Sequence, residues 1–153
     1  MPEQIVVCTD YTENAIEHLK NVFTNVDKAY TFDMLFGDYT KLDNNALFIM
    51  FRVSTEFNIN QWYEIFEKMY DAKIEYIVFI PAGIDNIKSI ASERIRHLIN
   101  VLRGKKDIFC GWLYSENEYK KMFRNNSKQA MYIVEERIIL KNTVLYLLKK
   151  NQN

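Results

Sequence analysis

Glycine is scarce in this chain: Gly37, Gly83, Gly104 and Gly111 are the four among 153 residues. Loops that cradle phosphate need close backbone approach, and therefore clustered glycines. No Walker loop and no dinucleotide fingerprint can be built from glycines so far apart. Histidine is scarcer still. His18 and His97 each fall within a helical pattern, with no partner at metal-ligand spacing, so no metal site is expected. The two cysteines, Cys8 and Cys110, lie inside apolar runs and read as core thiols, which suits a cytoplasmic setting. No apolar run approaches the roughly 18 to 20 residues needed to span a membrane. The N-terminal MPEQIVV lacks the pattern of a secretory signal. No G-x-S-x-G elbow marks a nucleophile, and no catalytic residue is assigned.

What is present is an ordinary globular composition, 48% hydrophobic and 26% charged, which predicts one α/β domain over residues 1–150 and a short disordered tail at 151–153. Aromatic residues are plentiful, with ten Tyr and ten Phe, enough to furnish an interface as well as a core. The net charge is zero but unevenly spread. Residues 1–86 hold 6 Lys/Arg against 14 Asp/Glu, and residues 87–153 hold 14 against 6, so the halves carry −8 and +8. Where the fold interleaves the two halves this asymmetry averages out over the surface; otherwise it fits head-to-tail charge pairing or a polyanion-binding face.

The order of patterns predicts an open, doubly wound sheet of five mainly parallel strands with helices on both faces, flavodoxin-like or Rossmann-like. QIVVCT (4–9), KAYTFDMLF (28–36), ALFIMFRV (46–53), IEYIVFI (74–80) and DIFCGWLY (107–114) read as the strands. Helical stripes follow at Ala15–Val26, at Trp62, Ile65, Phe66 and Met69, and at Ile87–Leu102. Asp10, Asn58 with Gln61, Asp85, and Ser115 with Glu118 stand where N-caps belong, and Gly104 where a left-handed C-cap belongs. The stretch 127–150 reads as a terminal helix because Glu135, Glu136, Arg137 and Lys141 suit a charged face. Strands at MYIV and RIIL are the alternative.

In such a sheet, ligands bind beyond the carboxyl ends of the strands. That rim is predicted to carry Thr9–Thr12, Ser54–Glu56, Pro81–Asp85 and Ser115–Asn117, acidic and hydroxyl-bearing, without Lys or Arg. Asp10, Thr12 and Ser54 are the candidate ligand-binding residues, and no cofactor is expected. Two basic segments, RGKK (103–106) and YKKMFR (119–124), mix cations with rings. Nucleic acid is therefore a possible partner, less favoured than a protein partner or a second copy. No membrane partner is expected.

The stretch VVCTDYTENAIEHL resembles the first strand and helix of universal stress proteins through Thr9, Asp10, Tyr11, Thr12, Glu13 and Ala15. It also resembles, less closely, the phosphate loop of flavodoxins through Thr12 and Asn14. The resemblance implies an adenine-side role for Asp10. The late glycine run of nucleotide-binding stress proteins is missing, which implies a degenerate site. The composite expectation is a non-catalytic interaction or regulatory module that self-associates or joins an assembly. Tyr119, Phe123 and Arg124 are its expected interface anchors. A degenerate small-ligand or nucleotide-binding domain is the alternative, and nucleic-acid binding through the basic half is the second.

Overall fold

Asn58 and Gln61 stand three apart ahead of an apolar stripe, and the chain uses them as that spacing predicts. The Asn58 side chain accepts from the backbone N–H of Gln61 (3.0 Å), and Gln61 Oε1 accepts from the Asn58 N–H (2.9 Å). This box opens a helix at Ile59–Asp71 whose inward residues, Trp62, Ile65, Phe66 and Met69, are all buried. The computed structural model describes residues 7–22, 28–83, 87–104, 111–124, 129–140 and 143–152. It divides into two compact units, Met1–Asp38 and Tyr39–Asn153.

The first unit is a strand–helix–strand: β1 (Val7–Asp10), α1 (Glu13–Val22) and β2 (Lys28–Thr31). The strands run parallel, with Asp10 opposite Thr31, and the Phe32 N–H extends the ladder to the Asp10 carbonyl at 2.8 Å. Thr12, not Asp10, caps α1: its Oγ1 accepts from the Ala15 N–H at 3.3 Å. β2 is shorter than the predicted 28–36, because the chain turns at Asp33–Gly37. There the Gly37 N–H reaches the Asp33 carbonyl at 2.7 Å.

In the second unit a 3₁₀ turn (Tyr39–Lys41) precedes β3 (Leu47–Phe51), α2 (Ile59–Asp71), β4 (Tyr76–Ile80), α3 (Ile87–Leu102), α4 (Glu116–Met122), β5 (Tyr132–Leu140) and β6 (Thr143–Lys150). The sheet order is β3-β4-β6-β5. β3 and β4 are parallel. β6 runs antiparallel between β4 and β5. One face of this sheet presents Met50, Ile77, Phe79, Tyr146 and Leu148, all buried together with Trp62 and Phe66 of α2 and Tyr119, Met122 and Phe123 at α4. Phe79 is the hub. Its ring meets those of Trp62, Phe66, Tyr119, Phe123 and Tyr146 at centroid distances of 5.5 to 6.4 Å.

The α/β class stands, but the five-stranded, mainly parallel sheet does not. The described strands form a two-stranded parallel sheet and a four-stranded mixed one. The predicted terminal helix is a β-hairpin. Val144, Tyr146 and Leu148 alternate inward with period two, and four of the nine residues of β5 are β-branched, so burial on one sheet face decides the structure. Two of the charges taken for a helix face are engaged otherwise, Arg137 Nη2 with Glu116 (2.9 Å) and Glu135 with Lys149 (3.5 Å), and Lys141 lies outside the described residues. A bulge between Val134 and Glu136 leaves Glu135 as an extra residue in β5, as sheet edges commonly do. Residues 107–110 of the predicted fifth strand lie outside the described residues, as do Asp85 and Cys110. Residues 111–114 are not strand but pack by the β3–α2 connection, with the Trp112 N–H on the Thr55 carbonyl (2.8 Å) and Tyr114 Oη on the Phe57 carbonyl (2.6 Å). Ser115 and Glu118 form the predicted capping box, and Gly104 takes the left-handed conformation expected of it (φ 64°). On α3, Ile90 is buried whereas Ile95, Leu98, Val101 and Leu102 are exposed.

α2 ends in a Schellman motif. The Ile74 N–H bonds the Met69 carbonyl and the Lys73 N–H the Tyr70 carbonyl, both at 3.1 Å, which places Lys73 at φ 62°. Glycine occupies such a position without the Cβ clash. Lys73→Gly is therefore expected to stabilise the protein by about 0.5 to 1 kcal/mol, read as a higher urea midpoint at unchanged slope.

Candidate functional site

Each unit brings polar residues to the carboxyl ends of its parallel strands. In the first, Asp10 closes β1, and its Oδ1 accepts from both the Thr12 N–H and the Thr12 hydroxyl at 2.9 Å. Thr12 thus donates to Asp10 and accepts from Ala15. This expected ligand residue is spent on shaping the turn into α1. Asp33 follows β2 by two residues. Its Oδ1 accepts from the backbone N–H groups of Leu35 (2.7 Å) and Phe36 (3.0 Å), closing an Asx turn. Gly37 is required in that turn: a Cβ there would fall 2.4 Å from the Asp33 carbonyl oxygen and 2.7 Å from the Phe32 ring. Two carboxylates therefore stand at the same end of two adjacent strands, each with one oxygen engaged by its own turn. Asp33 escaped the sequence reading because it lay inside a predicted strand. The D-x-x-x-G spacing to Gly37 was the available signal.

In the second unit Ser54 follows β3, but it is fully buried. The Ala82 N–H donates to Ser54 Oγ (2.9 Å), and Ser54 Oγ shares a 3.2 Å hydrogen bond with Tyr119 Oη, which lies 2.9 Å from the Gly83 carbonyl. One proton order satisfies all of these: Ala82 to Ser54, Ser54 to Tyr119, Tyr119 to Gly83. Trp62 Nε1 donates to the Ser54 carbonyl at 3.2 Å. Ser54 therefore ties β3, β4, α2 and α4 together and offers no hydroxyl to a ligand. Of the expected ligand residues, only Asp10 retains a carboxylate oxygen outside its turn.

The expected anchors fare differently. Tyr119 and Phe123 are 1% and 2% exposed, packed against Phe79, so neither ring is available to a partner or to a stacked base. Arg124 is exposed, in an isolated bridge with Ala130. The rings of Tyr119 and Phe123 face inward and are not displayed beside the cations of the 119–124 segment. Residues 105–106 of the other basic segment lie outside the described residues.

The rim is also less free of cations than predicted. β3 ends at Phe51, not Val53, so Arg52 is the first residue beyond its carboxyl end, and it is exposed. Near α4, Glu116 is held below the usual carboxylate range by hydrogen bonds from Lys120 and Arg137. This depressed value makes the contribution of the pair present above the ordinary carboxylate pKa and lost as pH falls through the folded one. Across the ladder from Arg137, burial first and Glu116 second push the Tyr146 phenol up to about 12, with Arg137 partly opposing. Arg137 lies near this hydroxyl without forming a hydrogen bond, and Tyr146 Oη is buried with no partner among the described residues. Tyr146→Phe removes an unsatisfied group and is expected to raise stability by about 1 kcal/mol in denaturant melts.

Among the described residues no helix is long and apolar enough to cross a membrane, and no group of three or more His, Cys, Asp or Glu could hold a metal ion.

No family model matches the chain, and no curated protein matches it by sequence. Solved structures do match. Magnesium protoporphyrin IX methyltransferase (ChlM) from Synechocystis PCC 6803, with bound SAH, superposes with a TM-score of 0.64 at 8% identity, over 96% of this chain and 64% of its own. The chain shares a Rossmann-like α/β fold with this protein. LepI in complex with SAM gives 0.66 at 9% identity, over 97% of this chain and 37% of LepI. A protein from Rhodobacter sphaeroides described as a putative Zn-dependent alcohol dehydrogenase gives 0.70 at 10% identity, over 96% and 76%. The chain thus spans 64% of the first of these proteins and little more than a third of the second.

Two expectations are corrected by these neighbours. The resemblance to universal stress proteins, carried by about a tenth of the chain, gives way to methyltransferase likeness over nearly all of it. The non-catalytic interaction module gives way with it, since the fold is shared with a methyltransferase that holds SAH and with a protein that holds SAM.

Proposed function

We propose that this chain is an S-adenosylmethionine-dependent methyltransferase acting on a small molecule. The carrying observation is the pair of carboxylates, Asp10 and Asp33, at the carboxyl ends of adjacent parallel strands. Nucleotide cofactors with a pyrophosphate need glycine-lined backbone or cations at this place. The Asp10–Glu13 turn has neither, and Glu13 adds a negative charge to the first turn of α1. S-adenosylmethionine has no phosphate. It carries a ribose diol, which donates two hydrogen bonds, and a positive sulfonium. Carboxylates accept from the one and attract the other. The acidic, glycine-poor rim that excludes a dinucleotide therefore suits this cofactor, and it favours methyl transfer over a dehydrogenase reading of the same fold.

Asp10 and Asp33 would hold the cofactor through the carboxylate oxygens their turns leave over. Thr12 would act one step removed by fixing the Asp10 carboxylate. When bound, S-adenosylmethionine supplies a methyl group carried on a positively charged sulfur.

Thermal shift and calorimetry with SAM, SAH and NAD test this reading. SAM and SAH are expected to stabilise the chain, by about 2.7 kcal/mol at a hundred times the dissociation constant, and NAD is not. Asp33→Asn keeps an oxygen for the Asx turn but loses the charge. It is expected to weaken SAH binding about tenfold without lowering the melting temperature. Equal response to NAD, or no response to SAM and SAH, would overturn the assignment.

A further inference from the structure

We propose that Arg52 anchors a binding site for a small carboxylic acid, a site that does not depend on the methyl-transfer reading.

Arg52 adopts φ 59°, the left-handed region that costs a residue with a Cβ about 1 kcal/mol or more. Lys73 is in the same region for a visible structural reason, the end of α2. No helix ends at Arg52. It stands one residue beyond β3, where its N–H donates to the Ile80 carbonyl at 2.7 Å and continues the β3–β4 ladder. Glycine would fill this position without strain, yet the longest cationic side chain occupies it. Strain of this kind at a strand's carboxyl end, where ligands bind in α/β sheets, points to the side chain's use.

The side chain is also uncommitted. Arg94, Arg96 and Arg137 each pair with a glutamate, at 3.5, 2.6 and 2.9 Å. Arg52, like Arg103 and Arg124, makes no ion pair among the described residues and is exposed; what sets it apart is its place at a strand's carboxyl end. Its backbone is nonetheless firmly anchored. Besides its own bond to Ile80, the buried Ser54 two residues later is held by Ala82, Tyr119 and Trp62. A free guanidinium on a fixed support is a preorganised fork for a flat two-oxygen group. The segment Arg52–Thr55 holds no glycine, so side chains hinder the close backbone approach that phosphate favours. Carboxylate is the better match.

The test titrates wild type and Arg52→Gly with benzoate, with benzamide as the neutral isostere, and with SAH in parallel, by calorimetry and by NMR of the arginine Nε–H groups. Benzoate should bind wild type saturably and shift the Arg52 signal. Benzamide should bind at least about tenfold more weakly. Arg52→Gly should lose about tenfold in benzoate affinity, keep its SAH affinity, and melt at a higher temperature because the strain is relieved. Arg52-dependent benzoate binding without SAH binding would uphold the anion site and sink only the methyl-transfer reading. Absence of saturable benzoate binding, equal binding by Arg52→Gly, or a lower melting temperature of that variant would overturn the proposal.

Discussion

Phe79→Ala is expected to cost about 3 to 5 kcal/mol, a large part of the roughly 5 to 15 kcal/mol that holds a domain folded. Phe79 is fully buried in the middle of β4 and shares ring contacts with α2, α4 and β6. Removing its ring deletes apolar burial and leaves a cavity walled by five other rings. Those rings are held by separate elements and cannot all close on one point. The edge-to-face geometry with Trp62, Phe66 and Phe123, at 74°, 75° and 83°, adds about 0.5 to 1.5 kcal/mol per well-formed pair. Phe79→Leu keeps much of the volume and should cost clearly less. Chemical denaturation of the pair measures both. Equal, small losses from the two substitutions would show that the cluster relaxes freely.

Gly111→Ala is the second large effect, about 2 to 4 kcal/mol. Gly111 sits at φ 97°, and a Cβ would lie 2.7 Å from the Thr55 Cβ and 3.0 Å from the Thr55 carbonyl oxygen. That oxygen accepts from the Trp112 N–H, so it cannot retreat without breaking the bond that fixes the segment leading to α4. Gly104→Ala separates the two causes. Gly104 has a similar positive φ of 64° but nothing within 4 Å of the added carbon, so it should lose only the backbone contribution, about 1 kcal/mol. Thermal melts of the two variants give the difference directly. A Gly104 variant as damaged as the Gly111 one would mean that contact with Thr55 is not the cause.

The features legible in the sequence are those decided within a few residues. Asn58 with Gln61 and Ser115 with Glu118 are reciprocal caps formed inside one helical turn, and Trp62–Met69 is a stripe that needs only its own helix. The α/β class followed from their order. What escaped was decided by neighbours distant in the chain. The 127–150 stretch carries Glu135, Glu136 and Arg137 in a row, which fits a helix face as well as a strand. Only the bulge at Glu135 and the ladder to β6 reveal why they are tolerated in a strand. Ser54 looked like a rim hydroxyl because its partners Ala82 and Tyr119 lie 28 and 65 residues on. Arg52 and Asp33 were missed through strand ends misplaced by a few residues: each lies beyond the carboxyl end of its own strand and not within the ladder. Tyr119 and Phe123 were assigned outward because their basic neighbours are, although helical geometry turns adjacent residues to different faces.

The position of β6 bears on how the chain reaches this structure. β4 finds one neighbour in β3, which precedes it in the chain across α2 alone, but its other edge is filled by a strand whose first residue, Thr143, bonds Pro81 from 62 positions away. Until that loop closes, half of the β4 hydrogen-bonding groups have no native acceptor or donor. Closure is slow because its entropy is lost before any contact repays it. The early species therefore presents a bare apolar ribbon, YIVFI, open to pairing with another molecule. Refolding yield should fall with protein concentration, and a synthetic peptide spanning 143–150 added in trans should compete for that ribbon.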